Sequence, residues 1–147
     1  MSIAETIALL GLIFGLIGTT IGVSNYFRDR AKVVVMLQWD MSMTDGNPEN
    51  RIGCVTITNI GRRAIFISHV ALRLPKGNEI SHFLIKGGLK GQKLSEEDPP
   101  AVFPVKQEGL DEYASKWQNI IAQISDSTGK VWVSKKVKKQ PSWAIVA

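Results

Sequence analysis

An uncharged stretch opens the chain and predicts a membrane-spanning helix. Residues 7–23 carry no charge, and Glu5 is the single charged residue before Arg28. Because an α-helix rises about 1.5 Å per residue, roughly 20 apolar residues cross a hydrocarbon core about 30 Å thick. We therefore expect a transmembrane anchor over residues 1–27.

The flanks of this segment favour a permanent anchor over a cleaved signal peptide. A signal peptide needs a positively charged start, whereas residues 1–6 contain no Lys or Arg. Three basic residues follow the segment and are expected to lie against the membrane surface: Arg28, Arg30 and Lys32. Because basic residues mark the cytoplasmic flank of membrane helices, the pattern predicts a single-pass protein with its N-terminus outside and residues 28–147 in the cytoplasm.

Small residues recur along one face of the predicted helix. They are Gly11, Gly15, Gly18 and Gly22. At about 100° per residue these glycines fall within a stripe roughly 60° wide. In lipid, helices associate through close backbone contact at small residues rather than through apolar burial. We expect self-association through this glycine seam, and the helix of a different protein would fit the same seam.

Beyond the basic residues, the pattern changes to short apolar segments separated by turn signals about every ten residues. Predicted strands cover residues 31–40, 52–60, 63–74, 79–85, 101–105, 119–125 and 131–137. A helix is predicted over residues 110–118, where apolar side chains recur at helical spacing. The expected fold is mainly β: the transmembrane helix, then an immunoglobulin-like antiparallel β-sandwich with one short helix over residues 28–140, and a tail over residues 141–147.

Two turn signals predict hairpins. Asn59 and Gly61 favour a turn between the strands at 52–60 and 63–74, and residues 126–130 favour one between the last two strands. Within the strand at 63–74, four apolar residues share one parity and are expected to face the core: Phe66, Val70, Leu72 and Leu74.

Composition and cysteine content limit the class of protein. The 147 residues carry 18 Lys and Arg against 13 Asp and Glu, and this length excludes a large multi-domain enzyme. Cys54 is the single cysteine, which excludes an internal disulfide and a zinc site built from cysteines. Its apolar neighbours predict a buried, inert thiol, and an unpaired thiol fits a reducing compartment.

The sequence carries no recognisable catalytic motif. His69 and His82 are separated by thirteen positions without a carboxylate at metal-ligand spacing, and residues 96–98 are typical of a solvated acidic turn. Hydrolytic chemistry requires a nucleophile with a base, paired carboxylates or a metal cluster. We therefore expect no enzyme activity, no bound metal and no cofactor.

A loop rich in glycine and lysine is the strongest candidate for binding an anionic ligand such as a nucleotide. Its residues are Lys86, Gly87, Gly88, Lys90, Gly91 and Lys93. Glycines can turn successive backbone N–H groups toward a phosphate while lysines supply charge. The spacing does not match the phosphate-binding P-loop, and a plain mobile loop fits the same residues.

The last part of the chain is basic and then apolar. Four lysines, Lys135, Lys136, Lys138 and Lys139, could lie against anionic lipid headgroups. Nucleic acid is not a favoured partner, because no stacking or groove-reading element can be placed. Trp143 is expected to dock on a sheet edge or on a neighbouring subunit.

Three segments carry a resemblance to other proteins: VTITNIGRRAIFI at 55–67, VALRLP at 70–75 and SDSTGKVW at 125–132. They resemble a loose class of small bacterial and phage proteins with one N-terminal membrane helix before an immunoglobulin-like β domain. The layout is also similar to membrane effectors of bacterial anti-phage signalling, in which an anchored β domain senses a cyclic nucleotide, although those usually carry two membrane helices. The resemblance implies an architecture of one membrane helix before a β domain, located in a bacterial inner membrane. It implies no catalytic residue.

The sequence thus predicts a non-enzymatic membrane protein that assembles through its glycine seam. Its cytoplasmic β domain is expected to sense a ligand or partner, as in phage-defence or phage-exclusion effectors. The alternative is a structural subunit that tethers a larger membrane complex, in which the seam meets the helix of another protein.

Overall fold

A computed structural model of the protein describes residues 2–42, 44, 50–77 and 79–145. Helix α1 (Ile3–Arg28) precedes a domain of antiparallel strands. This arrangement confirms the predicted fold class, mainly β with an N-terminal helix. Most of the loop predicted between the first two strands, and the last two residues of the tail, lie outside the described residues.

The strands follow in chain order: β1 (Val33–Met41), β2 (Ile52–Asn59), β3 (Ile65–Arg73), β4 (His82–Leu84), β5 (Gln92–Leu94), β6 (Ala101–Lys106), β7 (Ile121–Asp126) and β8 (Val131–Val133). Two 3-10 helices, Asp111–Asn119 and Ser142–Ala144, accompany them. The first occupies the predicted helix at 110–118 but is wound more tightly and kinks at Lys116.

Several polar side chains of helix α1 form hydrogen bonds within the helix. Ser2 caps the first turn by accepting from the Glu5 N–H, while Glu5 accepts from the Ser2 N–H at 2.7 Å. Thr19 and Thr20 each donate a side-chain hydrogen bond at 2.8 Å to a carbonyl one turn earlier. Among the described residues, α1 is the one helix long and apolar enough to cross a membrane, with a mean hydropathy of 2.1.

The strands form two sheets that enclose the core. One sheet has the order β1-β2-β6; the other has the order β4-β3-β7-β8, with β5 beside β3. Alternate residues point inward from each sheet, as the two-residue period of a strand requires. Both sheets contribute to the buried core, which includes Leu37, Val55, Ile57, Phe103, Ile67, Val70, Leu72 and Ile124.

The predicted hairpin between residues 52–60 and 63–74 is wrong. β2 pairs with β1 and β6, whereas β3 belongs to the opposite sheet. At the crossing, the buried Asn59 donates from Nδ2 to the carbonyl oxygens of Arg63 and Leu94, both at 2.9 Å. The side-chain amide thereby supplies a donor to two backbone carbonyls, one in the connection before β3 and one in β5. The predicted hairpin between the last two strands is confirmed, because β7 pairs with β8.

The predicted inward parity of the third strand is wrong at Phe66. Ile65 and Ile67 are buried while Phe66 is 54% exposed. Between Ile67 and His69 the register shifts against β7, so one extra residue is inserted. This bulge reverses the face of the residues before it, and Val70 and Leu72 do face the core.

The thiol of Cys54 is only half-buried, which corrects the prediction of a buried cysteine. In β2 the residues on either side of it, Gly53 and Val55, face the core, so Cys54 lies on the outer face of its sheet. The apolar neighbours in sequence therefore do not surround the sulfur in space, because adjacent residues of a strand point to opposite faces.

Candidate functional site

A basic cavity lies at the end of the sandwich remote from α1. We call it the distal pocket, and its volume is about 850 Å³. β3 starts near the linker to α1 and ends at Arg73, and the eight steps between its nine residues, at about 3.3 Å each, carry it roughly 26 Å along the domain. The lining residues are Arg73, Leu74, Pro75, Lys76, Gly77, Ser81, His82, Lys116, Asn119, Ile121 and Lys136.

Sheet pairing places the first part of this lining. Arg73 is the last residue of β3 and lies opposite His82 on one neighbouring strand and Ile121 on the other. The His82 ring is fixed by Ser81, whose Oγ lies 2.9 Å from Nδ1. Its other nitrogen, Nε2, lies 3.4 Å from the side-chain oxygen of Gln123 on β7. These polar contacts build one wall of the pocket from three strands.

The opposite wall comes from the first 3-10 helix and the chain after β8. Lys116 lies at the kink of that helix, where its φ of −123° departs from helical geometry. Lys136 donates from Nζ to the side-chain oxygen of Asn119 at 3.1 Å. That hydrogen bond holds one ammonium group at the rim of the pocket.

The electrostatic character of the distal pocket is uniform. Four cationic side chains line it, Arg73, Lys76, Lys116 and Lys136, and among the described residues no carboxylate does. Exposed like charges that face one cavity repel each other weakly in water, and a bound anion removes that repulsion. The arrangement is suited to holding a phosphate or carboxylate ligand.

Sequence reasoning missed this pocket. Of its four cations only Lys136 belonged to a predicted basic region, and the other three stand alone in the sequence. One local signal was available: Arg73 and Lys76 flank the turn that ends a predicted strand. Their convergence with Lys116 depends on the sheet and could not be read from spacing.

The glycine-lysine loop is divided by the structure. Lys86 and Lys90 are exposed in the turn after β4, whereas Lys93 lies within β5. A Cβ on Gly88 would lie 2.8 Å from the Val70 side chain, and the Gly88 N–H donates to the Ile85 carbonyl at 2.9 Å. Gly88 therefore serves close packing, while Gly87 and Gly91 adopt positive φ. Anion binding by this loop remains a prediction.

The glycine seam of α1 faces open space. A Cβ on any of its four glycines would meet no atom within 4 Å beyond the backbone of its own helix. No residue of α1 is buried. The seam is therefore free to accept another helix.

The predicted membrane-surface residues cluster at the end of α1. Arg28 donates to the Asn25 side chain at 2.9 Å. The Arg30 guanidinium lies over the rings of Tyr26 and Phe27, at 4.8 and 4.9 Å from their centroids. Lys32 is exposed and begins the domain, since its carbonyl accepts from the Ile60 N–H at 2.8 Å.

The chain has no match among models of known protein families, and no curated protein sequence is significantly similar to it. Within the described part of the chain, no three residues of the His, Cys, Asp and Glu types are placed to hold a metal ion. The function is therefore inferred from the geometry of the chain itself.

Proposed function

We propose that this chain is a non-enzymatic, single-pass membrane protein whose cytoplasmic β domain binds an anionic ligand in the distal pocket. One observation carries the proposal: four cations around a cavity of about 850 Å³ with no carboxylate in its described lining. Phosphate groups are the ligands that such a cluster favours. Leu74, Pro75 and Ile121 form the apolar part of the lining, and all three are buried.

The membrane part of the proposal draws on α1. Its 26 residues exceed the roughly 20 that a bilayer requires, and its threonine hydroxyls are satisfied within the helix. Arg28, Arg30 and Lys32 favour a cytoplasmic domain and an N-terminus outside the cell membrane. The open glycine seam favours homo-oligomers in the bilayer.

The strand order supports an immunoglobulin-like domain. In chain order the first, second and sixth strands form one sheet, and the third, fourth, fifth, seventh and eighth form the other. Such a division, with crossings between sheets rather than simple hairpins, is typical of Greek-key sandwiches. The layout of one membrane helix before a β domain suggests phage-defence or phage-exclusion effectors as the setting for the proposed sensing.

A thermal-shift experiment on the full chain in mild detergent tests the ligand. The probes are ATP and inorganic pyrophosphate, with adenosine as the uncharged comparison. A ligand present at about 100 times its Kd adds about 2.7 kcal/mol to stability, which raises Tm by several degrees in a domain of this size. We expect that rise with both phosphates and none with adenosine.

Matched variants assign the binding to one place. The double substitution Arg73→Gln with Lys136→Gln should abolish the rise in Tm, whereas Lys86→Gln with Lys90→Gln should preserve it. The two variants are matched because each removes two positive charges. The reverse result would move the anion to the glycine-lysine loop. No shift with either phosphate would overturn the proposal.

The tethering alternative is favoured by a different surface. The outer face of the β1-β2-β6 sheet is uncharged over its central part, with Lys106 at the end of β6, and Met36 is 49% and Val102 57% exposed. Its members are Val34, Met36, Gln38, Cys54, Thr56, Thr58, Val102 and Pro104. A face of this composition suits contact with a second protein. A chain that is monomeric in detergent, and unaffected by changes in the glycine seam, would favour this role.

A further inference from the structure

A second cavity lies at the opposite end of the domain, between the end of α1 and the nearest turns of the sandwich. We call it the juxtamembrane crevice, and its volume is about 820 Å³. Three cations line it from three parts of the chain: Arg30 from the linker, Arg63 from the β2–β3 connection and Lys130 from the β7–β8 turn. The rings of Tyr26 and Phe66 also line it, and both are more than half exposed.

The linker that forms one wall of the crevice is packed against the domain. A Cβ on Gly61 would lie 2.4 Å from the Arg30 carbonyl oxygen and 2.4 Å from the Lys32 nitrogen, so glycine permits the contact. The hydrogen bond from the Ile60 N–H to the Lys32 carbonyl joins the same two segments. Gly61 is therefore required for close approach, and not for the positive φ that a turn glycine would supply.

The depth of the crevice follows from the length of the linker, given the proposed membrane span of α1. Four residues, 29–32, separate α1 from β1, and they extend at most about 14 Å. The polar layer on each side of the hydrocarbon core is roughly 5–8 Å thick. Arg30 is closer still, because it covers two rings of the last helical turn. The crevice thus opens at the level of the lipid headgroups.

We propose that the juxtamembrane crevice binds the phosphate of an anionic phospholipid headgroup. Arg63 and Lys130 line it from the domain and Arg30 from the linker, and the acyl chains of the lipid would lie beside Tyr26 and Phe66. Aromatic rings are favoured at this depth, and basic pockets beside membrane helices bind lipid phosphates.

Two carboxylates share the walls of the crevice without cancelling its charge. Asp126 accepts from the backbone N–H groups of Thr128 and Lys130 within its own turn. Asp29 lies at the end of α1, where its backbone N–H closes the last turn. Three cations against these two groups leave the crevice positive.

Native mass spectrometry of the full chain tests the proposal. The protein is equilibrated in detergent with equal amounts of phosphatidylglycerol and phosphatidylcholine, and retained lipids are counted. The wild type should retain phosphatidylglycerol at least threefold over phosphatidylcholine. Arg63→Gln with Lys130→Gln should remove that preference, whereas Lys86→Gln with Lys106→Gln, an equal charge change on exposed residues outside the crevice, should keep it.

Several results would overturn the proposal. These are equal retention of both lipids by the wild type, equal loss in both double variants, and displacement of the lipid by millimolar glycerol phosphate, which would assign the crevice to a soluble phosphate. Two observations separate lipid binding from misfolding. The double variants should keep the Tm of the wild type, and Arg63→Lys in place of Arg63→Gln should restore the preference for phosphatidylglycerol. Fractionation of cells keeps the two proposals apart: a wild type found in the soluble fraction contradicts the membrane anchor, whereas a membrane-bound protein without lipid preference contradicts this inference alone.

Discussion

The indole ring of Trp143 packs edge-on against that of Trp39, with centroids 5.4 Å apart and an interplanar angle of 76°. Beside this pair, Asp40 accepts from the Ser142 N–H at 2.9 Å and from the Ser142 hydroxyl. The described part of the C-terminal segment is thus docked on β1, an edge strand, as predicted for Trp143. Neither indole N–H has an acceptor among the described residues, so ring packing holds the pair.

Replacing Trp143 should therefore destabilise the domain. Trp143→Ala removes a half-buried ring and its edge-to-face contact, and we expect a loss of about 2 kcal/mol in the free energy of unfolding. Urea denaturation of the full chain in detergent measures it. The control is Ile145→Ala, because Ile145 is 65% exposed and should change stability by less than about 0.5 kcal/mol. Equal effects of the two substitutions would show that the segment does not contribute through the ring pair.

Asn59 should be intolerant of the change to aspartate. Its Nδ2 donates to two carbonyls and its Oδ1 accepts from the Gly61 N–H at 3.0 Å. Asn59→Asp keeps the acceptor but turns a buried oxygen toward both carbonyls, so we expect a loss of more than about 2 kcal/mol. Gln118→Glu makes the same chemical change at an exposed position and should be nearly neutral. A near-neutral Asn59→Asp would contradict the bridging role.

Asp126 predicts a pH-dependent stability. Burial raises its pKa, but hydrogen bonds from the Thr128 hydroxyl and from the backbone N–H groups of Lys130 and Thr128, with the Lys130 charge, lower the pKa below 3.8 overall. A carboxyl whose pKa is lower in the folded than in the unfolded protein stabilises the fold. This stabilisation is complete at pH values above the pKa of the unfolded state, and it is lost as the pH falls through the pKa of the folded state. Asp126→Asn should thus be less stable than the wild type at pH 7.

The difference in stability between the wild type and Asp126→Asn should shrink in acid. Urea midpoints of both proteins at pH 7, 5 and 3 give the comparison, and we expect the gap to persist at pH 5 and narrow at pH 3. A gap that is constant across this range would contradict stabilisation by the ionised carboxylate.

The proposed glycine seam predicts a position-specific loss of assembly. Gly15→Leu with Gly18→Leu places bulky side chains where no atom lies within 4 Å, and should convert a homo-oligomer to monomer in detergent. Light scattering after size-exclusion chromatography measures the mass. Thr20→Leu is the control, because Thr20 lies about 180° around the helix from the seam. Dissociation by Thr20→Leu alone would place the contact on the other face.

The elements that sequence predicts well are those fixed by local pattern. The run without charge before Arg28 marks α1, and the alternation in β2 and β6 marks buried strands. Which strands pair with one another is harder to predict from the sequence. Asn59 forms a hydrogen bond with Leu94, 35 positions away, and this contact replaces the expected hairpin. The bulge in β3 is likewise specified by its partner β7 and not by its own residues.

The distal pocket shows the same limit more strongly. Arg73, Lys116 and Lys136 are far apart in sequence, and each is typical of a solvated surface when considered alone. Their common direction arises only when β3, the first 3-10 helix and the chain after β8 meet at one end of the sandwich. Local pattern thus predicts where charge is abundant, while tertiary structure decides which charges converge.

The packing of Gly61 against residues 30–32 has a mechanical consequence. Because the Gly61 contact and the hydrogen bond from Ile60 to Lys32 join the linker to the sandwich, a rotation of α1 about its own axis would also turn the domain. In the proposed homo-oligomer, the angle at which two copies of α1 cross would therefore set how the distal pockets of the two subunits are oriented. Ligand binding in the distal pocket and the crossing angle of the helices would then both depend on the same rotation of the domain.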